Sequence, residues 1–176
     1  TTNFVHGIPF FSVSIALAGP DREILAGVVY EPNRDECFAA HKGGGATLNG
    51  VPMQVSKERG ISQGLLATGF PYTDFRQMEQ YMNSLQELMQ RCHGLRRIGS
   101  AALDLAYVAC GRFEAFFEYN LYPWDVAAGS LLVEEAGGKA TAFDPAKSCV
   151  FDREMIASSG AAHGELLEVI RRNFRE

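Results

Sequence analysis

The sequence predicts a mixed α/β protein built in layers, and three observations lead to that prediction. Short alternating or β-branched runs separated by tight turns fill the beginning of the chain, as in an antiparallel meander. Apolar strands then alternate with segments of helical spacing, which is typical of βαβ units. The composition, 47% hydrophobic and 21% charged over 176 residues, is that of an ordinary globular protein. We expect one domain over residues 1–176, with an antiparallel half over about 1–60 and a βαβ-rich half over about 61–176.

Three or four strands are expected in the antiparallel half, because each run ends at a cluster of turn-forming residues. These clusters are Gly19-Pro20-Asp21-Arg22, Gly43-Gly44-Gly45 and Asn49-Gly50. The predicted strands are residues 10–18, 23–31 and 36–41, followed by residues 46–55 folded about the Asn-Gly turn. Successive antiparallel strands of this kind form a meander with one covered face.

Strands and helices alternate in the predicted second half. Apolar residues over 75–91 recur at the spacing of an amphipathic helix. Residues 100–110 are apolar nearly all round apart from Asp104, as in a buried helix that Gly111 ends. A proline near the first turn and Gly137-Gly138 beyond the end mark a helix over 123–136. The other expected elements are strands at 65–68, 96–98, 112–118, 139–143 and 155–158, and a helix at 162–174.

Charge and cysteine content exclude several classes of function. Sixteen basic and 21 acidic residues give a net charge of −5, which argues against a nucleic-acid or anionic-membrane binder. No apolar run approaches the roughly 18 residues of a spanning helix. The four cysteines form no CxxC pair, which indicates ordinary thiols in a reducing cytoplasm. The beginning of the chain is unusual. Because the chain opens without Met on an apolar segment, we expect a fragment or the ordered part of a longer chain.

Two carboxylates are expected where a strand ends and a helix begins. Glu118 closes the apolar run FEAFFE, and Asp125 follows the only tryptophan, Trp124, in YPWDVAAG. A lone Asp at a helix start is more often a cap, and a strand-end Glu can be simply exposed. Across a short loop, however, the two would form an acidic mouth at the sheet edge. Hard cations such as Mg²⁺ prefer carboxylate oxygens, so such a mouth suits them.

A second candidate is the turn Gly99-Ser100-Ala101-Ala102, where a strand leads into the buried helix. Free backbone N–H groups at a helix start favour anions and hydroxyl oxygens, although small residues there usually serve close packing. Arg96 and Arg97 could steer a phosphate or be solvated surface charges. The four histidines lack metal-ligand spacing, and no GxSxG, P-loop or Cys–His motif supports nucleophilic catalysis.

Several motifs, in this order and spacing, resemble the inositol monophosphatase family and most of all its bacterial members. They are TTNFVHGIPFFSVSIAL, GVVYEP, ATLNG, LLATGFP, GSAALDLAYVACG and PWDVAAGSLLVEEAGG. The resemblance runs from Thr1 to about residue 160. It implies an αβαβα sandwich of the inositol monophosphatase and fructose-1,6-bisphosphatase type. It also implies a Mg²⁺-dependent, lithium-sensitive phosphomonoesterase that forms a homodimer.

The same resemblance implies roles for individual residues. Asp125 matches the family's metal-ligand Asp, and Glu118 matches the acidic residue that hydrogen-bonds a substrate hydroxyl. The turn Gly99-Ser100-Ala101 matches the helix start that lines the sugar or inositol ring. Thr1 matches the threonine that orients the attacking water together with an upstream Glu. Thr2 neighbours it in the phosphate-binding turn.

The chain departs from the family pattern at its beginning. In the family, TTNF follows an Asp-Pro-x-Asp-Gly motif whose carboxylates hold the metals, and neither that motif nor the N-terminal helices of the sandwich precede Thr1. One remaining metal carboxylate should hold Mg²⁺ too weakly for catalysis. We therefore expect these 176 residues alone to be inactive and prone to aggregate.

The intact protein is expected to hydrolyse a small phosphomonoester, most simply inositol monophosphate, by attack of a metal-activated water. Two alternatives stay open. One is a related phosphatase acting on a sugar bisphosphate or an adenosine bisphosphate. The other is a binding or regulatory module that keeps the fold without the chemistry. The charge pattern predicts no nucleic-acid or membrane partner.

Overall fold

The chain forms two β-sheets in a computed structural model that describes residues 1–57 and 60–174. The first, which we call the meander sheet, has antiparallel strands in chain order. The predicted meander is confirmed, and both residues of the Asn49-Gly50 turn have the positive φ that a tight hairpin requires. Its strands are β1 (Val13–Ala18), β2 (Ile24–Glu31), β3 (Glu36–His41), β4 (Ala46–Leu48) and β5 (Val51–Pro52).

The second sheet, which we call the mixed sheet, has the strand order β7-β6-β8-β10-β9. Strand β6 pairs in parallel with β7 and with β8, whereas β10 runs antiparallel to both β8 and β9. Parallel strands that end at one edge bring the loops that follow them together. The strands are β6 (Leu65–Thr68), β7 (Gly94–Arg96), β8 (Ala115–Tyr119), β9 (Lys139–Thr141) and β10 (Glu154–Ser158).

Two pairs of helices complete the layers. Helices α3 and α4 pack against each other and lie between the two sheets, while α2 and α5 pack together on the other face of the mixed sheet. The layered α/β prediction is thus confirmed, with the layers in the order meander sheet, α3 and α4, mixed sheet, α2 and α5. The helices are α1 (Thr2–Val5), α2 (Met78–Arg91), α3 (Ala101–Ala109), α4 (Pro123–Glu135) and α5 (Gly160–Phe174).

Glycines let the inner layers approach closely. A Cβ on Gly27 of β2 would lie 2.9 Å from the Cα of Ala128 in α4. A Cβ on Gly129 would lie 2.5 Å from the Cβ of Leu105 in α3. Real Cβ atoms do not make contacts this short, so a larger residue at either position would push the layers apart. The close packing of α4 against β2 and against α3 therefore requires a glycine at each contact.

Several element boundaries differ from the predicted ones by a few residues. Helix α2 begins at Met78 and not at residue 75, and β7 covers 94–96 instead of 96–98. The register of β7 is set by its parallel partner β6, a long-range pairing that a three-residue apolar run cannot reveal. The sequence does not predict α1, because four residues carry no helical period. The predicted boundary between the two halves falls beside residues 58–59, which lie outside the described residues.

The outer face of the meander sheet is apolar and exposed. We use this name for the side turned away from α3 and α4, where Val13, Ile15, Leu17 and Val28 project. Other features of the fold bear on its environment. The four cysteines are free thiols, each partly buried. Within the described ranges, no helix is both long and apolar enough to cross a bilayer.

Candidate active site

A cavity of about 650 Å³ opens where β6, β7 and β8 end and where α3 and α4 begin. Its wall combines segments that are far apart in the sequence, because parallel strands direct their following loops to one edge. The structure brings all of the sequence-predicted site residues to this wall: Thr1, Thr2, Gly99, Ser100, Ala101, Glu118 and Asp125. The acidic mouth and the helix start are therefore parts of one site.

The threonines reach the cavity because a buried asparagine anchors the segment that carries them. Asn3 is 7% exposed, and its Nδ2 donates to the carbonyl oxygens of Phe10 at 2.7 Å and Ile98 at 2.8 Å. The second bond ties the chain start to the residue that precedes Gly99. Thr1 is the N-cap of α1 but makes no side-chain capping hydrogen bond there. The sequence analysis missed Asn3, and its presence in the TTNF motif was the only available signal.

The start of α3 requires glycine at its approach. Gly99 has a φ of +86°, and a Cβ there would lie 3.1 Å from Nη1 of Arg97 and 3.1 Å from Nδ2 of Asn3. Ser100 is the N-cap of α3 and makes no side-chain capping hydrogen bond. The first N–H groups of α3 are thus not engaged by the cap side chain. Such groups suit hydroxyl oxygens or anions in the cavity.

Glu118 is a buried carboxyl at the end of β8. It is 8% exposed and lies directly against Gly69, where a Cβ would overlap the carboxyl carbon and both oxygens. The pKa of Glu118 is raised from 4.5 to about 8; burial is the main cause, the charge of Asp125 adds to it and Arg97 opposes both. A carboxyl with such a pKa exchanges protons near neutral pH and can accept or donate a hydrogen bond.

The Asp125 side chain caps helix α4 with a hydrogen bond and also lines the cavity. Its Oδ2 accepts the backbone N–H of Tyr122 at 2.9 Å, so the carboxylate does cap α4. The side chain is half-buried and lines the cavity. The neighbouring Tyr122 and Trp124 rings stack at 4.7 Å with 8° between their planes, and Arg153 lies over Tyr122 at 4.4 Å. This stack gives the first turn of α4, which carries Asp125, a fixed shape.

Arg96 and Arg97, the two arginines suggested by the sequence, separate in space, and neither Arg96 nor the more distant Arg112 lines the cavity. Arg97 lines the cavity, and its Nη2 donates to the Tyr72 hydroxyl at 2.6 Å. Arg96 donates to the carbonyl of Leu95, and Arg112 pairs with Glu36. Arg97 is therefore the one among these three arginines that could meet a phosphate at the site.

A second buried carboxyl, Asp104, lies on α3 behind the cavity wall. It is 1% exposed, and within the described part of the chain its Oδ1 has no hydrogen-bond partner. Burial raises the pKa of Asp104 well above its usual range; the charge of Glu118 adds to this and Arg97 opposes it. The neutral form is thus favoured, which explains how an apolar helix tolerates this residue.

The donor set of the wall fits one part of a magnesium site. Over residues 1–57 and 60–174, no group of three or more His, Cys, Asp or Glu could hold a metal. Mg²⁺ commonly uses one or two carboxylates and fills its other positions with water and substrate phosphate. Asp125 fits as one such carboxylate, because only one of its oxygens is used by the helix cap. The described carboxylates alone would hold the ion weakly.

Comparison with known proteins agrees with this geometry. The model of the inositol monophosphatase family matches residues 1–175. The inositol-1-monophosphatase of Caulobacter vibrioides is 42% identical over 173 residues, which cover 97% of this chain and 68% of that protein. The Nus factor SuhB of Pseudomonas aeruginosa is also 42% identical, over 97% of this chain and 64% of that protein.

Solved structures show the same relationship in three dimensions. The extragenic suppressor protein SuhB from Bartonella henselae superposes with a TM-score of 0.92 and 42% identity, covering 98% of this chain and 66% of that one. The inositol monophosphatase from Anabaena superposes with a TM-score of 0.88 and 39% identity, covering 98% and 71%. The chain therefore spans about two thirds of the length of these relatives. With a family match over nearly every residue and the same arrangement of layers, the chain belongs to the inositol monophosphatase family.

Proposed function

We propose that the whole protein is a Mg²⁺-dependent phosphomonoesterase that acts on inositol monophosphate or a closely similar polyol phosphate. One observation carries the proposal: the cavity collects, from separate segments of the chain, every residue for which the family resemblance implies a role. The lining residues come from five separate segments of the chain. If each residue had only a structural role in its own segment, there would be no reason for these residues to lie in one cavity.

The substrate ring would lie between Glu118 and the start of α3. The Glu118 carboxyl would accept a hydrogen bond from a ring hydroxyl, and the N–H groups after Ser100 would donate to another oxygen of the ring. Thr1 and Thr2 lie on the same wall, where their hydroxyls could orient water and bind a phosphate oxygen. These groups position the ester for in-line attack, and positioning is the main contribution of protein groups to phosphoryl transfer.

Asp125 is the residue that would hold Mg²⁺ on this wall. When bound, the ion supplies Lewis-acid polarisation of phosphoryl oxygens and lowers the pKa of water. The cap bond from Tyr122 fixes the orientation of the Asp125 carboxylate in advance, so less ordering is needed when the ion binds. With one carboxylate present, the 176 residues alone should bind the ion too weakly for turnover.

The charges on the wall favour a monophosphate over a bisphosphate. Among the described lining residues, Arg97 is the one cationic side chain, and it shares the wall with the Asp125 carboxylate and with the Glu118 carboxyl, which is mostly protonated at neutral pH. A second phosphate would need a further basic group, since one guanidinium is the only cationic side chain among the described lining residues and the Asp125 carboxylate repels phosphate. Sugar bisphosphates and adenosine bisphosphates are therefore the less favoured substrates.

A regulatory binding role is the second candidate function. It is favoured by the name of the Pseudomonas aeruginosa relative, which is called a Nus factor. The two roles make different demands on the cavity, because a binding module does not need the carboxylate of Asp125.

The test is release of phosphate from inositol 1-phosphate by the whole protein, with and without Mg²⁺ and with added lithium. Fructose 1,6-bisphosphate and adenosine 3′,5′-bisphosphate are compared under the same conditions. We expect turnover that depends on Mg²⁺, is inhibited by lithium and is fastest with the monophosphate. The absence of metal-dependent turnover on all three substrates would leave the regulatory role as the better explanation.

The proposal extends to the assembly and its location. Helices α3 and α4 pack on both sheets, which supports one domain over residues 1–176. The family resemblance favours a homodimer, and the free thiols are compatible with a reducing cytoplasm. Sedimentation of the whole protein at several concentrations measures the assembly directly.

A further inference from the structure

The ring of Tyr81, on α2, packs directly behind the wall that carries Glu118. Tyr81 is 0% exposed. Its ring centroid lies 5.7 Å from that of Phe117 and 5.6 Å from that of Tyr119, the two residues that flank Glu118 along β8. On its other side, Tyr81 meets the Phe70 ring edge-to-face at 6.3 Å. A single buried side chain thus contacts both neighbours of the carboxyl and an aromatic residue of the cavity lining.

The Tyr81 hydroxyl lies where β6 ends beside β8. It donates its one proton to the carbonyl oxygen of Gly69, and the phenol oxygen lies in direct contact with Thr68 Oγ1. Thr68 Oγ1 in turn donates to the carbonyl oxygen of Phe117 at 2.8 Å. The phenol therefore links the residue after β6 to the residue that precedes Glu118 in β8.

Gly69 connects the Tyr81 hydroxyl to the Glu118 carboxyl, because it contacts both. The Glu118 carboxyl lies against Gly69 so closely that no side chain could be placed between them. Gly69 has the freedom of a residue without Cβ, and its carbonyl is fixed by the Tyr81 hydroxyl. If that carbonyl turned, the surface that supports the carboxyl would move with it.

We propose that Tyr81 is a positioning residue that fixes the Glu118 carboxyl against Gly69, and so sets how well the site recognises a substrate hydroxyl. This inference rests on the proposed function. It adds a residue outside the cavity, on a helix whose sequence pattern marks it only as an amphipathic surface helix. Tyr81 does not touch the substrate, so its effect must depend on Glu118 being present.

The experiment compares two substrates on the whole protein. Inositol 1-phosphate carries ring hydroxyls, whereas p-nitrophenyl phosphate carries none. Tyr81→Phe removes the hydroxyl and keeps the ring contacts. Because small displacements of a positioning group are costly, we expect kcat/KM for inositol 1-phosphate to fall about tenfold, with a much smaller change for p-nitrophenyl phosphate.

Tyr107→Phe is the matched control. Tyr107 is also a buried phenol on a helix, 7% exposed, but its hydroxyl bonds to Glu31 and Arg34 and does not line the cavity. It should lower stability in a similar way without changing the ratio of the two kcat/KM values. On a Glu118→Ala background, Tyr81→Phe should have no further selective effect, since the carboxyl that it positions is gone. An equal loss on both substrates, or the same loss without Glu118, would overturn the inference.

A second measurement does not depend on turnover. The carboxyl carbon of Glu118 is followed by NMR through a pH titration of the metal-free protein. We expect the midpoint to fall toward the ordinary range of a glutamate in Tyr81→Phe, because a loosened wall admits water, and to stay in place in Tyr107→Phe. The charged groups around it, Arg97, Asp104 and Asp125, are the same in both variants. If the wild type turns over neither substrate, the proposed function fails, while an unchanged midpoint in Tyr81→Phe would by itself refute the positioning role.

Discussion

The two sheets differ in how much of their surface is covered. Every residue of β8 in the mixed sheet is buried, because helices pack on both of its faces. In the meander sheet, five of the six residues of β1 are exposed, and the apolar outer face is open. Both sheets are rich in apolar residues, so the difference lies in what packs against them.

The contrast separates two kinds of chemistry. Two carboxyls buried on or against the covered sheet have raised pKa values, because burial removes the hydration of the charged form. Glu118 and Asp104 are the examples. On the open sheet, an exposed apolar face instead favours association with other surfaces. The covered sheet is thus suited to hold reactive groups, and the open sheet is suited to contact a partner or another segment of chain.

The largest expected effect comes from Asp125→Asn in the whole protein. Asparagine keeps an oxygen for the Tyr122 N–H, so the start of α4 should keep its shape. A bound Mg²⁺ is worth several kcal/mol of transition-state stabilisation, so turnover should fall roughly 10³-fold. Asp35→Asn, an equal change of charge on an exposed turn, is the control. Wild-type rates with an unchanged requirement for Mg²⁺ in Asp125→Asn would show that the metal ligand is misassigned.

The next effect is a pH dependence of stability that the covered sheet should show in metal-free buffer. The pKa of Glu118 is raised from 4.5 to about 8, so between these values the folded protein holds a proton that the unfolded chain releases. The free energy of unfolding should therefore be highest near the lower pH and fall as pH rises toward 8, by roughly 2–4 kcal/mol.

Glu118→Gln isolates this contribution. Glutamine does not titrate, so the slope of the free energy of unfolding against pH, measured by urea denaturation, should become shallower. Asp104 contributes with the same sign and should leave a residual slope. If the wild type and Glu118→Gln gave parallel curves, Glu118 would not be buried in the way that the comparison requires.

The elements could be predicted from sequence where their signals are local. Strands β3 and β6 have the predicted bounds, because turn residues flank short apolar runs. The Asn49-Gly50 hairpin follows from the conformational preference of two residues. The bounds of strand β7 were predicted two residues too late and helix α1 was not predicted, since the first depends on its partner β6 and the second on a side chain that bonds to distant carbonyls.

For the candidate site, the sequence predicted which residues lie close together but not which other residues hold them in place. The proximity of Glu118 to Asp125 follows from a strand end and a helix start joined by a short loop. The roles proposed for them rest on the family resemblance, because residue types alone also fit a cap and an exposed end. Asn3 and Tyr81 could not be found from patterns, since their hydrogen bonds connect elements far apart in the chain. Such supporting residues become visible only when the layers are assembled.

The third effect concerns the link between the chain start and the covered sheet. Asn3→Ala removes the bonds to the carbonyls of Phe10 and Ile98 and leaves both without that partner. We expect a loss of about 2 kcal/mol in the free energy of unfolding and a fall in turnover of about tenfold, as Thr1 and Thr2 lose their position. Asn33→Ala, on an exposed turn, should change neither. Normal turnover in Asn3→Ala would mean that the threonines do not depend on this anchor.

The smallest effect on stability, and the clearest test of the open sheet, comes from Ile15→Lys on the outer face. Ile15 is 64% exposed, so the free energy of unfolding should change by no more than about 0.5 kcal/mol. Self-association of the 176-residue polypeptide, measured by light scattering over a range of concentrations, should nevertheless decrease, because a lysine on an edge strand opposes docking of another apolar surface. Asn33→Lys adds the same charge on an exposed turn away from this face and should leave association unchanged. Identical scattering from the two variants would show that the outer face does not drive association, and the functional contrast between the sheets would then rest on the mixed sheet alone.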